Sequence, residues 1–208
     1  MFRVILRFGL LLAAVVTLAA CGADNNFADD ASVAKARYSS GQPPSITLYT
    51  VVNNRTNQGG HSSLLIDGVE RVIYDPAGTW YHPSAPERLD LHYGISERMM
   101  AYYLDYHARV TFRVIEQKLP VSQATIDLIL ARVKQEGAAA KATCAITLSG
   151  VLRDIPGFES IGSTWFPNKL AEDFGRLPGV TERIIRDGDP DENSDVLTVQ
   201  VNGEPGGI

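Results

Sequence analysis

The residues of this chain best suited to chemistry are a cysteine and a histidine that stand far apart in sequence. Cys144 lies at the expected start of a helix, and the other cysteine, Cys21, closes an apolar N-terminal stretch. In a first helical turn the unpaired N–H groups and the macrodipole favour a thiolate, lowering the pKa from a free value of about 8.5. The same N–H groups are placed to stabilise an oxyanion on an attacked carbonyl. A thiol nucleophile also needs a base within hydrogen-bond reach, and His61, His82, His92 and His107 are available. His61 is the best placed, because Gly59-Gly60-His61-Ser62-Ser63-Leu64-Leu65-Ile66 sets it at the mouth of a strand after a flexible turn. His82 and His92 fall in a proline-bearing irregular stretch that suits surface or lid roles. His107 ends an aromatic-rich helix, where charge–dipole capping suffices. The competing role for Cys144 is a small core residue, since it shares a helix face with Leu148, Val151 and Leu152.

These side chains need elements to hold them. Ile46 to Val52, Ser62 to Ile66 and Glu70 to Tyr74 have the aliphatic and β-branched composition of strands, and Asp67-Gly68 predicts a two-residue hairpin between the last two. Ala77 to Tyr93 reads as an irregular excursion. Ser96 caps an expected helix to about His107, and Val110 to Leu119 follows as a strand. Ser122 caps the next helix, in which Ile126, Ile129, Leu130 and Val133 share one face and Gly137 ends the run. A third helix is expected from Thr143 to Arg153 and a fourth, with Pro167 in its first turn, to about Arg176. Val180 to Arg186 and Val196 to Val201 predict further strands. Strands and helices without a βαβ rhythm indicate an α+β fold. Trp80, Trp165 and Phe166 are candidates to line a groove, and Ser163, Thr164 and Asn168 to cap the fourth helix.

A Gly-His pair followed by an aliphatic strand, a tight hairpin, a second strand and, much later, a cysteine opening a helix resembles the circularly permuted NlpC-type branch of papain-like thiol hydrolases, the lecithin–retinol acyltransferase-like branch. The matching residues are His61 to Asp75 and Thr143 to Leu152. The resemblance implies a papain-like domain over residues 45–186, with a small antiparallel sheet packed on helices. It implies Cys144 as nucleophile, His61 as base, and a third polar group on the strand paired with the histidine strand. A two-residue turn at Asp67-Gly68 sets His61 opposite Tyr74, and one residue of slip sets it opposite Asp75. Asp75 is chemically the better partner, although Asp75-Pro76-Ala77-Gly78 also has the composition of a turn. Better-known members of the branch present a histidine there.

The N-terminus supplies an address. Basic residues at Arg3 and Arg7 precede an apolar stretch from Phe8 to Ala20, and Leu18-Ala19-Ala20-Cys21-Gly22 resembles the lipobox of bacterial lipoproteins. Residues 1–20 then form a signal peptide, and Cys21 carries the acyl chains that bind the membrane. Gly22, where an Asp would retain the protein in the inner membrane, favours the outer membrane facing the periplasm. Residues 21–44 are polar and small, the composition of a flexible tether. A net charge of −5 argues against nucleic acid as a partner. The acidic stretch Asp187 to Asp195 fails the EF-hand pattern, with Glu192 where Gly is needed and Thr198 where Glu is needed, so a solvated loop is expected before a loose tail to Ile208. No zinc-ligand spacing is present, and neither metal nor cofactor is expected. The expectation is an envelope thiol hydrolase or acyltransferase acting on amide or ester bonds of peptidoglycan peptides or lipids. The alternative is a non-catalytic envelope lipoprotein with a binding or structural role.

Overall fold

A strand that is apolar on alternate residues of both parities must be covered on both faces, and residues 46–52 have that pattern. In the computed structural model, which describes residues 23, 25–191 and 195–202, strand β1 (Ser45–Asn53) is buried at every residue but the last. The signal peptide, Cys21, Glu192 and the tail from Gly203 lie outside the described residues. Ile46 and Leu48 face one core, with Leu64 and Ile66 of β2 (Gly59–Asp67). Tyr49, Val51 and Leu65 face another. This is the period-two alternation of a sheet with a layer on each side.

Among the described residues seven strands form one antiparallel sheet in the order β4-β5-β3-β2-β1-β6-β7, larger than the small sheet expected. Its other members are β3 (Arg71–Tyr74), β4 (Glu87–Arg88), β5 (Leu91–His92), β6 (Phe112–Pro120) and β7 (Thr181–Arg186). The first helix among the described residues is α1 (Asp30–Ala36), capped by Asp29. Helix α2 (Glu97–His107) covers the Tyr49 face, its N-terminus capped by Ser96 Oγ accepting from Met99 N–H. The opposite face is covered by α3 (Gln123–Glu136), α4 (Cys144–Arg153) and α5 (Pro167–Gly175). Ser122 caps α3 and Gly137, at φ 75°, ends it. These helices sit where caps and spacing predict them.

Four expectations are corrected. The β2–β3 connection has three residues, Gly68 to Glu70, because Asp67 pairs with Arg71 and Leu64 with Tyr74. Gly68 presses on α3, where a Cβ would meet Ile126 Cγ2 at 2.7 Å, so the loop is set by helix packing. Residues 196–201 are not a strand: α6 (Val196–Asn202) is a helix anchored by the buried side chain of Gln200. The described part of the expected tether is docked. Ala28 N–H donates to Glu87 O at 2.9 Å, Arg88 Nε to Ala28 O at 2.6 Å, and Arg71 N–H to Tyr38 O at 2.8 Å. Finally, His82 and His92 are buried rather than surface-borne. Among the described residues no helix is long and apolar enough to cross a membrane.

Candidate active site

Two adjacent elements bring His61 and Cys144 together. Strand β2 enters the sheet with a bulge: Val51 pairs with His61 but Val52 pairs with Gly59, leaving Gly60 as the extra residue. A bulge re-aims the neighbouring side chain, here the imidazole. Gly59 permits it, since a Cβ there would meet Pro167 and the Asn168 side chain at 2.7 Å. Helix α4 packs on β2 through Ala145, Leu148, Val151 and Leu152, and this apolar face sets Cys144, its first residue, against His61.

The Cys144 thiol lies close enough to the His61 ring for the two to interact, and the backbone N–H groups of Ser62 and Ala145 also act on it. The start of α4 has no side-chain cap, because Thr143 turns its hydroxyl to Ala140 O at 2.6 Å. First-turn amides of α4 are therefore free to face an incoming oxyanion.

On its other edge His61 donates Nε2–H to Asp75 Oδ1 at 2.6 Å. Asp75 reaches the ring by following the end of β3, not by cross-strand register. Tyr74, the other candidate, does not meet His61: it is fully buried on the opposite face, and its hydroxyl donates to Gly137 O at 2.7 Å. The Asp75-Pro76-Ala77-Gly78 turn does form, with Gly78 N–H donating to Asp75 O at 2.9 Å. The turn and the carboxylate role thus coexist. Gly78 lies against the carboxylate so tightly that a Cβ would sit 1.9 Å from Asp75 Oδ2.

Two contributors were not assigned to the site by the sequence reading, which took His107 for a charged helix cap and did not single out Tyr103. The Tyr103 hydroxyl donates to Asp75 Oδ1 at 2.8 Å and lies 2.7 Å from Ser63 Oγ. One turn later His107 donates Nδ1–H to Tyr103 O at 2.8 Å and stacks on His61, with ring centroids 5.7 Å apart. Their four-residue spacing on α2 was the available signal, since it places both on one helix face.

The electrostatics follow from these contacts. Burial of the His61 ring works against its charge. The charge and hydrogen bond of Asp75, with help from Cys144, outweigh this and raise its pKa to about 10. Burial likewise opposes ionisation of Asp75, yet His61 holds its carboxyl well below the usual carboxylate range. For Cys144 burial pushes the thiol up, while the His61 hydrogen bond and charge, then the Ser62 and Ala145 amides, bring it below its ordinary value. Burial, reinforced by the charge on His61, lowers His107 to about 4 and leaves it neutral. The arrangement shifts the Cys144–His61 pair toward thiolate and imidazolium, braced by the Asp75 carboxylate.

Ligand atoms of His61, Asp75 and His107 lie within 4.8 Å of one another. A metal must lie in the plane of each imidazole it binds, and these two rings are parallel to within 8° and stacked, so their lone pairs do not converge. A cleft of about 530 Å³ opens beside Asp75, lined by Gly78, Trp80, His92 and Lys141 among others. Trp80 belongs to this wall, whereas Trp165 and Phe166 are solvent-exposed. Thr164 Oγ1 accepts from Phe166 N–H, and Asn168 donates to Asn57 O instead of capping α5. No family model, curated protein or solved structure matches the chain.

Proposed function

We propose that this chain is a lipid-anchored thiol hydrolase or acyltransferase of the bacterial envelope, built on the permuted papain plan, that cleaves amide or ester bonds through a thioester on Cys144. The observation that carries the reading is the chain of contacts Cys144–His61–Asp75, in which a thiol at an uncapped helix start meets a histidine fixed by a buried carboxylate. The order in the chain, histidine strand before cysteine helix, agrees with the permuted branch.

In the proposed cycle the Cys144 thiolate attacks the substrate carbonyl carbon, and the carbonyl electron pair moves to oxygen, facing the α4 amides. Collapse of the tetrahedral intermediate expels the leaving amine or alcohol, which takes the proton from the imidazolium of His61. The neutral ring then removes a proton from water, or from an acceptor hydroxyl or amine, as it attacks the thioester. The thiolate departs, and His61 is again protonated. Asp75 holds the ring orientation and its charge throughout. Acylation at Cys21 and a periplasmic site are proposed from the N-terminal sequence alone, and peptidoglycan peptides and envelope lipids are the substrate classes it suggests.

One observation favours the second reading, a non-catalytic binding or structural lipoprotein: Cys144 is only 7% exposed. Alkylation of the native protein by iodoacetamide at pH 7 separates the two. The enzyme reading expects Cys144 to react faster than a free thiol and His61→Ala to slow it by at least about 10-fold, a conservative share of what a general base contributes. Labelling that occurs only after denaturation overturns it.

A further inference from the structure

We propose that Asp105, Asp187 and Asp189 form a calcium site that fastens the acidic C-terminal loop to the end of α2. The EF-hand pattern fails here because Glu192 stands where Gly is needed and Thr198 where the bidentate Glu is needed. The fold supplies a ligand from elsewhere: Asp105 of α2 places an oxygen within 4.8 Å of ligand oxygens of Asp187 and Asp189.

Unpaired buried oxygens point to an ion. Asp105 is 3% exposed; its Oδ2 accepts from Gln200 Nε2 at 2.9 Å, but its Oδ1 has no hydrogen-bond partner. Asp187 Oδ2 is also buried and unpaired, while Oδ1 accepts from Asp189 N–H at 2.9 Å. Among the described residues, Arg109 is the one cation paired with the group. Its Nη1 lies 3.3 Å from Asp189 Oδ2, but its Nη2 is 3.8 Å from Asp105 Oδ1, and both Nε and Nη2 lack hydrogen bonds. One guanidinium therefore does not satisfy three carboxylates. Three negative charges against one positive leave a deficit of two, which a single divalent cation neutralises. Buried polar atoms left without partners call for a bound water or ion.

The donor set selects the ion. All three side-chain ligands are carboxylates, hard oxygen donors that suit calcium or magnesium rather than zinc or copper. Calcium accepts irregular sets of six to eight oxygens, completed by carbonyls and water, whereas magnesium demands a near-ideal octahedron. The loop is already held close: Val110 N–H donates to Asp189 O at 3.0 Å, and Thr111 N–H to Asp191 Oδ1 at 2.8 Å. Because α2 also carries Tyr103 and His107, the ion braces the helix that backs Asp75.

The test uses the intact purified protein, stripped with EGTA and titrated with calcium chloride, with magnesium chloride in parallel. Thermal unfolding and displacement of Tb³⁺ luminescence sensitised by the α2 tyrosines are followed. A dissociation constant of about 10⁻⁴ to 10⁻³ M is expected, the range of extracellular modules. The midpoint should rise by about 5 °C at roughly 10 mM calcium. Magnesium should bind at least about 10-fold more weakly. Asp187→Asn and Asp189→Asn, both in an accessible loop, should each lose most of the calcium response. A wild type that shows neither stabilisation nor Tb³⁺ displacement up to that concentration overturns the proposal, as does a response unchanged in both variants. None of these readouts depends on Cys144 chemistry, so this site and the proposed activity stand or fall separately.

Discussion

Cys144 and His61 hold opposite ends of one proton, and the directions of their shifts predict a pH profile. Below the depressed thiol pKa the nucleophile is protonated, and above about 10 the imidazolium is lost. Acyl transfer should therefore rise through the first and fall through the second, in buffer freed of metals by a chelator. In His61→Ala only burial and two amides act on the thiol, so the alkylation midpoint should move upward. An unmoved midpoint would remove His61 from the site. Gly78 gives a second test, since a methyl group there must displace the Asp75 carboxylate. Gly78→Ala should erase the downfield proton resonance of the His61–Asp75 hydrogen bond and slow thiol chemistry on the order of 10²-fold, the scale of a small misplacement. An intact resonance would contradict the geometry. Cys144 and His61 were legible because a nucleophile and a base stand at element ends in the sequence, whereas Asp75 was legible only as one of two candidates, since strand register decides between it and Tyr74. Tyr103 and His107 were not, because only tertiary packing lays α2 across the sheet.

At the scale of elements, what the sequence displayed well were helices with local stop and start signals. Ser96, Ser122 and Gly137 bound α2 and α3 as read, since a cap is a contact within a few residues. Register was hidden because the hairpin is set by Gly68 pressing on Ile126, a contact from a distant helix. Helix α6 was hidden for a related reason: Val196-Leu197-Thr198-Val199-Gln200-Val201 has strand composition, and burial of Gln200 against α2 prevails over that propensity. The sheet and α4 depend on one another through Leu148, which is fully buried between them. Leu148→Ala should lower stability by about 2–5 kcal/mol, measured by urea unfolding. The cavity should also loosen the seating of Cys144, seen as faster hydrogen exchange across α4. A loss well under 1 kcal/mol would mean that α4 is not packed as described.

Across the whole molecule, segments far apart in sequence close on the same sheet. The Gln200 side chain ties α6 to Trp80 Nε1 at 3.2 Å, Tyr102 O at 2.9 Å and Asp105 Oδ2 at 2.9 Å. Gln200→Ala strands these groups and should cost about 1–3 kcal/mol for each one left unpaired, read as an earlier unfolding midpoint. An unchanged midpoint would show that α6 is not docked. At the other end, residues 26–40 lie along the edge of the sheet, where a free linker had been expected. Five peptide steps separate Cys21 from Asn26, a span of about 18 Å at full extension. For a chain acylated at Cys21, that span leaves no room for a stalk. In such a chain the β4 edge of the sheet would stay within that span of the leaflet, and encounters with targets would come by lateral diffusion, a patrol of a plane rather than of a volume.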